Sequence, residues 1–381
     1  MALATSQGFW PNGERWRSVR ARLVANPKFQ NWAARSPLTR FIARRRAKSL
    51  FDLCAGFVYS QTLYACVRLD LFAYLAERPR SSGEVGRAKN LSADSARRLL
   101  RAAASLKLLR ALPDDRFALD DLGAAMLGNP SIAAFVSHHA ALYDDLRDPV
   151  ALLRGETETK LSKFWPYAAD RPGMPPSESS PEAVAPYSAL MATSQEFIAE
   201  DVLGSLSLRP FDCLLDVGGG EGVFAAAAAR RAPGLNVMLF DLPAVAERAR
   251  ARVNQMGLAG RIAVFGGSFL SDPLPEGADL VSLVRVLHDH DDESALAILA
   301  AVRRAMRPRG TLLVAEPMAE TSGAESIGDA YFGFYLLAMG RGRARSAQSL
   351  ENLLRQSGFA RFERLRTPRP LLTSALLARV V

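Results

Sequence analysis

Leu214-Leu215-Asp216-Val217-Gly218-Gly219-Gly220-Glu221-Gly222-Val223-Phe224 is the stretch on which the fold turns. An apolar run leads to Asp216, glycines crowd the next positions, and an alanine-rich segment follows to Arg230. A buried parallel strand, a turn open only to glycine, and the start of a helix give that order. The loop lets a ligand lie against bare backbone, with the helix N-terminus offering unpaired N–H groups. Asp241 ends the next apolar run, Asn236-Val237-Met238-Leu239-Phe240-Asp241. An acid about 20 residues beyond the glycines, at the tip of a second strand, is placed to bind the two hydroxyls of a ribose. A nucleoside is expected here, the alternative being a tight turn in some other α/β protein.

Outward from this point the chain alternates. Strands are expected at 213–217, 236–241, 261–265, 280–287 and 311–316, with two more in Phe362–Thr367 and Ala375–Val381. This is an α/β doubly wound sheet with a C-terminal antiparallel strand, and such sheets bind ligands at the C-terminal ends of their strands. Asp216, Asp241, Ser268, His288 and Glu316 all fall at those ends. His288 can act as a base near neutral pH, with Glu316 placed to orient it. A strand-end cap and a solvated carboxylate are the plainer readings of the pair. In the string His288-Asp289-His290-Asp291-Asp292-Glu293 the acids fit the first turn of the next helix, where the dipole favours negative charge, so no metal is expected.

The chain has 381 residues, nearly half hydrophobic, enough for two or three domains. Cys54, Cys66 and Cys213 are unclustered, which indicates neither a disulfide framework nor a zinc site and fits a reducing cytosol. No signal peptide is read, nor an uninterrupted apolar stretch of about 18 residues to span a bilayer. Residues 1–50 carry +10, and the remainder −1. This basic arm, interleaved with Trp10, Trp16, Phe29, Trp32 and Phe41, suits peripheral contact with an anionic membrane; a solvated tail or a segment packed on a partner subunit remains open.

Residues 50–76 read as helical and apolar on more than one face, which argues burial against a second copy. Helices starting at Ser82 and Ser92, then a hairpin turning at Pro113-Asp114-Asp115, give the order of a winged helix. Arg97, Arg98 and Arg101 on its second helix raise a different class of function, a nucleoside-sensing DNA-binding regulator. The basic excess lies upstream of this unit, so no nucleic acid partner is expected. Residues 130–168 read as helical; His138 and His139 point to different sides and cannot hold one ion together. Residues 170–182 read as a mobile Pro/Ser-rich loop. The domains expected are an arm at 1–50, a winged-helix-like dimerisation domain at 51–128, a helical substrate-lining region at 129–205 and a cofactor-binding catalytic domain at 206–381.

The Gly-x-Gly-x-Gly loop after Asp216 resembles the first motif of S-adenosylmethionine-dependent methyltransferases. The chain from about residue 50 on is similar to the O-methyltransferase family that includes plant caffeate and flavonoid methyltransferases and bacterial small-molecule relatives. The family's glycine motif falls on Asp216–Gly222, its ribose-binding acid on Asp241, its catalytic His-Asp-Trp on His288-Asp289-His290, and its orienting glutamate on Glu316. The resemblance implies S-adenosylmethionine as cofactor, no metal, and a homodimer. Asp216, Gly218, Gly220, Asp241, Leu242, Ser268, Phe269 and Arg285 are then expected around the cofactor, and Met191, Tyr331, Phe334, Tyr335 and Met339 along the substrate, unless those aromatics are core or dimer packing. Two departures stand out: Ser268-Phe269 replaces the Asp-Met or Asp-Phe that grips adenine, and Ala344 replaces a second glutamate, leaving His288 one expected carboxylate partner. Pro27–Phe72 and the Arg285–Asp292 stretch resemble the carotenoid O-methyltransferases of photosynthetic bacteria, of hydroxyneurosporene or demethylspheroidene type. That implies methylation of the tertiary 1-hydroxyl of an acyclic hydroxycarotenoid by a cytoplasmic enzyme, peripheral at the inner or photosynthetic membrane. A phenolic or polyketide hydroxyl is the other acceptor the fold suits.

Overall fold

The computed structural model describes residues 11–164 and 181–380, and its chain divides after Ala125 into two compact units. The first begins with helices α1 (Pro11–Ala25), α2 (Pro27–Arg35) and α3 (Arg40–Arg68), the last running unbroken through residue 50. Asn26 caps α2 by accepting from the Lys28 N–H at 2.9 Å, and Pro27 at the first helical position has no N–H to satisfy. α4 (Leu71–Ala76), β1 (Arg80–Ser81), α5 (Ser82–Ala88), α6 (Ala93–Ser105), β2 (Leu109–Leu112) and β3 (Arg116–Leu119) form a small winged-helix arrangement. The expected cap at Ser82 moves to Ser81, which shares a capping box with Glu84 and so satisfies two helix-end donors at once. Leu100 and Ala103 of α6 are fully buried, as the apolar face of the helix requires. Asp114 and Asp115 turn the β2–β3 hairpin with φ of 60° and 54°. Arg97 is held fork to fork on Asp115, with both contacts at 3.1 Å, and Arg98 bonds Asp94 at 2.9 Å, so two of the three candidate DNA-reading arginines are already engaged.

The single helix expected over 50–76 is two helices, whereas an apolar face left open in one chain agrees with the expected burial against a second copy. The chain breaks between α3 and α4, and much of the apolar face of α3 is exposed: Leu53 is 81% and Phe57 71% accessible. By length and composition α3 could also cross a membrane, with mean hydropathy 1.2 over its best window, although its uncharged run lies only between Asp52 and Arg68, shorter than the stretch of about 18 residues a span requires.

α7 (Asp121–Leu127) leads into the second unit. There α8 (Pro130–Asp145), α9 (Pro149–Leu153) and α10 (Lys160–Phe164) replace the single helical region expected. Asp148 caps α9, with Pro149 next, and the Asp145 carboxylate takes the N–H groups of Lys160 and Leu161 at 2.7 and 3.0 Å, so each break has its own polar stop. The loop expected at 170–182 lies outside the described residues up to 180, and α11 (Pro181–Gly204) starts within its last two positions.

β4 (Cys213–Val217), α12 (Val223–Arg231), β5 (Asn236–Asp241), α13 (Pro243–Gln255), β6 (Ile262–Gly266), β7 (Ala278–Val284), α14 (Asp292–Ala305), β8 (Met306–Glu316), α15 (Phe332–Ala338), α16 (Ala347–Gln356), β9 (Phe359–Leu365) and β10 (Ser374–Val380) complete the unit. The seven strands run in the order β6-β5-β4-β7-β8-β10-β9, all parallel except that β10 is antiparallel to both its neighbours. Every residue of β4 is buried, as a central strand covered on both faces must be. Its side chains alternate between two cores: Leu215 and Val217 pack with α14 and α16, and Leu214 packs with α11 and α12. The order of strands reverses between β4 and β7, which opens a crevice at their C-terminal ends.

Two strand ends differ from expectation in ways that matter. β7 stops at Val284, not 287, because Arg285 takes φ of 58° while its N–H still reaches the Ala315 carbonyl at 2.8 Å. β8 begins at Met306, not 311, with a register shift that absorbs the Arg307–Gly310 segment.

Candidate active site

The glycine loop is shaped around Asp216. Gly218 has φ of 69°, and a Cβ there would lie 2.7 Å from the Val286 side chain. At Gly219 a Cβ would lie 2.7 Å from Asp216 Oδ2. Asp216 Oδ1 accepts from Ser282 Oγ at 2.6 Å, whereas buried Oδ2 has no hydrogen-bond partner among the described residues. Burial pushes this carboxyl up to about 7, against the Ser282 hydrogen bond. A cationic N–H donor is what such an atom lacks, and the methionine ammonium of S-adenosylmethionine supplies one.

Asp241 accepts from the Gly220 and Leu242 N–H groups, both at 2.7 Å, one on each oxygen. Each oxygen keeps a lone pair for one hydroxyl of a vicinal diol. Burial raises its carboxyl to about 6, although the two backbone donors oppose the shift. Met191, Leu242, Ser268, Phe269 and Arg285 line the same crevice as Asp216, Gly218, Gly220 and Asp241. Ser268 Oγ accepts from the Leu270 N–H at 3.3 Å, and its own N–H goes to Asp272 at 2.7 Å, so Asp272 braces the loop where the family's usual carboxylate is absent. Phe269 meets His290 edge to face at 5.4 Å. Burial lowers His290 to about 4, so that ring is neutral. Arg285 bonds Ser194 Oγ at 2.7 Å and Met191 Sδ at 3.3 Å, which joins the strained end of β7 to α11.

His288 does not close β7. It sits in a 3-10 turn, Leu287–Asp289, a few residues beyond. Glu316 makes that turn: Oε1 takes the N–H groups of Val286 and Leu287 at 3.2 and 2.8 Å, Oε2 takes that of His288 at 3.4 Å, and the ring Nδ1 is hydrogen-bonded to Oε2 as well. A second carboxylate, Asp289, lies 3.1 Å from Nε2. The single partner inferred from Ala344 is therefore corrected to two, the second being the sequence neighbour. Burial alone would lower the His288 pKa, but Asp289 and Glu316 on either nitrogen hold it above the ordinary range.

From the other side, the Gly340–Ser346 segment grips the same turn. Arg345, 5% exposed, donates to the carbonyls of Leu287 and His290 at 2.7 and 2.8 Å and to Asp292. The Arg343 N–H reaches the His288 carbonyl at 2.7 Å, and a Cβ on Gly342 would lie 2.4 Å from it. Arg341 bonds Asp291, which caps α14 as its position at the helix start predicts. These arginines were missed in the sequence; Gly-Arg-Gly-Arg-Ala-Arg itself was the signal, read there only for the glutamate it lacks.

Of the candidate substrate residues, Tyr331 and Tyr335 stack at 5.8 Å and bond His139 and His138 at 2.7 and 3.0 Å. Burial keeps both phenols protonated and lowers both imidazoles, so four polar groups sit neutral among Phe135, Phe164 and Phe332. Phe332 approaches His288 at 6.2 Å, and Phe334 packs against the cluster that contains Leu142, Leu152 and Leu161. Met339, expected along the substrate, is 2% exposed and packs in a core with Leu142, Leu152 and Leu161. Among the described residues no group of three His, Cys, Asp or Glu side chains is placed to hold a metal.

Residues 143–360 match the O-methyltransferase domain and residues 51–129 the O-methyltransferase dimerisation domain. The chain belongs to this family, and it is an S-adenosylmethionine-dependent O-methyltransferase. It is 45% identical to the demethylspheroidene O-methyltransferase of Cereibacter sphaeroides, over 94% of this chain and 93% of that one. The Rhodobacter capsulatus protein of the same name is 37% identical, over 94% and 88%. Human N-acetylserotonin methyltransferase, solved in complex with S-adenosylmethionine, superposes with a TM-score of 0.72 at 25% identity, covering 88% of this chain and 97% of that one.

Proposed function

We propose that this enzyme methylates the tertiary 1-hydroxyl of an acyclic hydroxycarotenoid of the 1-hydroxyneurosporene or demethylspheroidene type. The observation that carries this reading is the 45% identity, nearly end to end, with a demethylspheroidene O-methyltransferase. A second observation supports it: Phe332 lies 6.2 Å from His288, and the polar groups behind it, Tyr331 and Tyr335 with their histidines, are paired and neutral, surroundings that suit a long polyene.

S-adenosylmethionine supplies a methyl already activated on a sulfonium. The chain must then hold the alcohol in line and take its proton. His288 Nε2 is the acceptor, and the substrate hydroxyl displaces Asp289 from it. That exchange matters, because a ring flanked by two carboxylates keeps its proton and cannot act as a base. With Asp289 moved aside, the Nε2 proton is given up to solvent; Glu316 alone then holds Nδ1–H and stabilises the imidazolium once the hydroxyl proton has moved to Nε2. A tertiary alcohol is a poor acid, so alignment in a dry pocket supplies much of the rate. We infer also that the enzyme works as a homodimer through its dimerisation domain, whose α3 carries an exposed apolar face.

The test is transfer of label from S-adenosylmethionine with 1-hydroxyneurosporene in detergent micelles beside a panel of soluble phenols. Label in the carotenoid is the expected result. Label in the phenols alone would keep the enzyme class and overturn the substrate.

A further inference from the structure

Between Arg15 and Lys48 the chain holds eleven basic residues and no acid. From Arg17 onward all ten are exposed along α1, α2 and the first turns of α3, and among the described residues only Lys48 has an acidic partner, Asp52 at 2.6 Å. Large apolar side chains lie open among them: Trp16 is 74%, Trp32 58%, Phe41 65% and Leu38 85% exposed. Val19, Leu23 and Ile42 are exposed as well. This surface lies N-terminal to the segment that matches the dimerisation domain, which starts at residue 51.

We propose that α1, α2 and the start of α3 form a docking surface for an anionic lipid bilayer, with arginines against headgroups and tryptophan and aliphatic side chains set into the interface. Charge and shape favour that occupant over the others. A second copy offers this surface little counter-charge, since residues 51–381 carry a net charge of only −1. A nucleic acid would pair with the arginines but gain nothing from Leu38, Val19, Leu23 and Ile42, which offer no ring to stack on a base. A bilayer interface takes both kinds of group at once. The proposal stands on this surface alone and does not depend on which acceptor the enzyme methylates.

The full-length protein is mixed with phosphatidylcholine vesicles, with and without phosphatidylglycerol, and binding is read by co-sedimentation and by tryptophan emission. Binding to the anionic vesicles, with a blue-shifted emission and release by high salt, is expected. The triple variant Arg44→Gln, Arg45→Gln, Arg46→Gln should bind these vesicles about tenfold or more weakly. The double variant Trp16→Ser, Trp32→Ser should lose the emission shift, and both should bind S-adenosylmethionine as the parent does, which shows them folded. Three results would overturn the proposal: no difference between neutral and anionic vesicles, release from vesicles by competing duplex DNA, or retention after high-salt and alkaline washes, which would make α3 a span.

Discussion

Asp216 carries one satisfied and one orphaned oxygen, and that asymmetry makes it a sensor of what binds beside it. Burial holds the free carboxyl at about 7, and an ammonium next to Oδ2 would stabilise the ionised form and pull that value down. Cofactor binding below neutrality must then expel a proton. Affinity for S-adenosylmethionine should accordingly be level from about pH 7 to 8 and fall below that, by as much as about tenfold per pH unit, with Asp241 adding to the loss below about 6. Calorimetric titrations between pH 5.5 and 8 check this; equal affinity at both ends would mean that the ammonium does not meet Asp216. His288 lies at the other pole of the site. Replacing it with Ala should lower kcat by about 10² or more with cofactor affinity retained. An unchanged kcat in the labelled-methyl assay would remove the ring from proton transfer.

At the scale of elements, the 3-10 turn that carries His288 is built by groups far apart in sequence. Glu316 at the end of β8 takes its N–H groups, and Arg345 takes its carbonyls. A charge-assisted hydrogen bond contributes about 1.5–3 kcal/mol, so Arg345→Ala should loosen the turn and lower kcat by about tenfold or more, leaving the KM for cofactor near that of the parent. Arg345→Lys should recover part of the loss, since one ammonium reaches one carbonyl. Steady-state kinetics beside a melting curve separate this from general destabilisation; a kcat that does not move would assign the turn to Glu316 alone. The sequence made the parallel strands and the glycine loop legible because apolar runs and glycines are local signals. It misplaced the end of β7 because a strand stops where its backbone donors are taken, and here Glu316, about thirty residues on, takes them.

In the molecule as a whole, the exposed face of α3 asks for a partner. Leu53 and Phe57 stand four residues apart on one side of the helix, and a charge on that side opposes burial against another chain. The pair Leu53→Glu, Phe57→Glu should convert a dimer to a monomer in light scattering while the S-adenosylmethionine site in the other unit still binds its ligand. A dimer that persists would place the subunit interface elsewhere. The apolar pattern over 50–76, on more than one face, pointed in the sequence to burial against a second copy; it could not show the break between α3 and α4 or which residues the single chain leaves open, because periodicity records which residues avoid water and not what covers them.

The sequence by itself determined the doubly wound sheet, the glycine loop after Asp216, the acid at Asp241 and the pairing of His288 with Glu316. Each rests on residues whose meaning is set within a strand, a turn or a helix start. Only the tertiary structure decided that Asp216 keeps an unpartnered oxygen, that Asp289 occupies Nε2 in place of the glutamate missing at Ala344, that Arg345 closes the His288 turn, and that Met339 belongs to a core. Those outcomes depend on which distant groups meet in a buried space, where every donor and acceptor competes for a partner. No local pattern encodes the result of that competition.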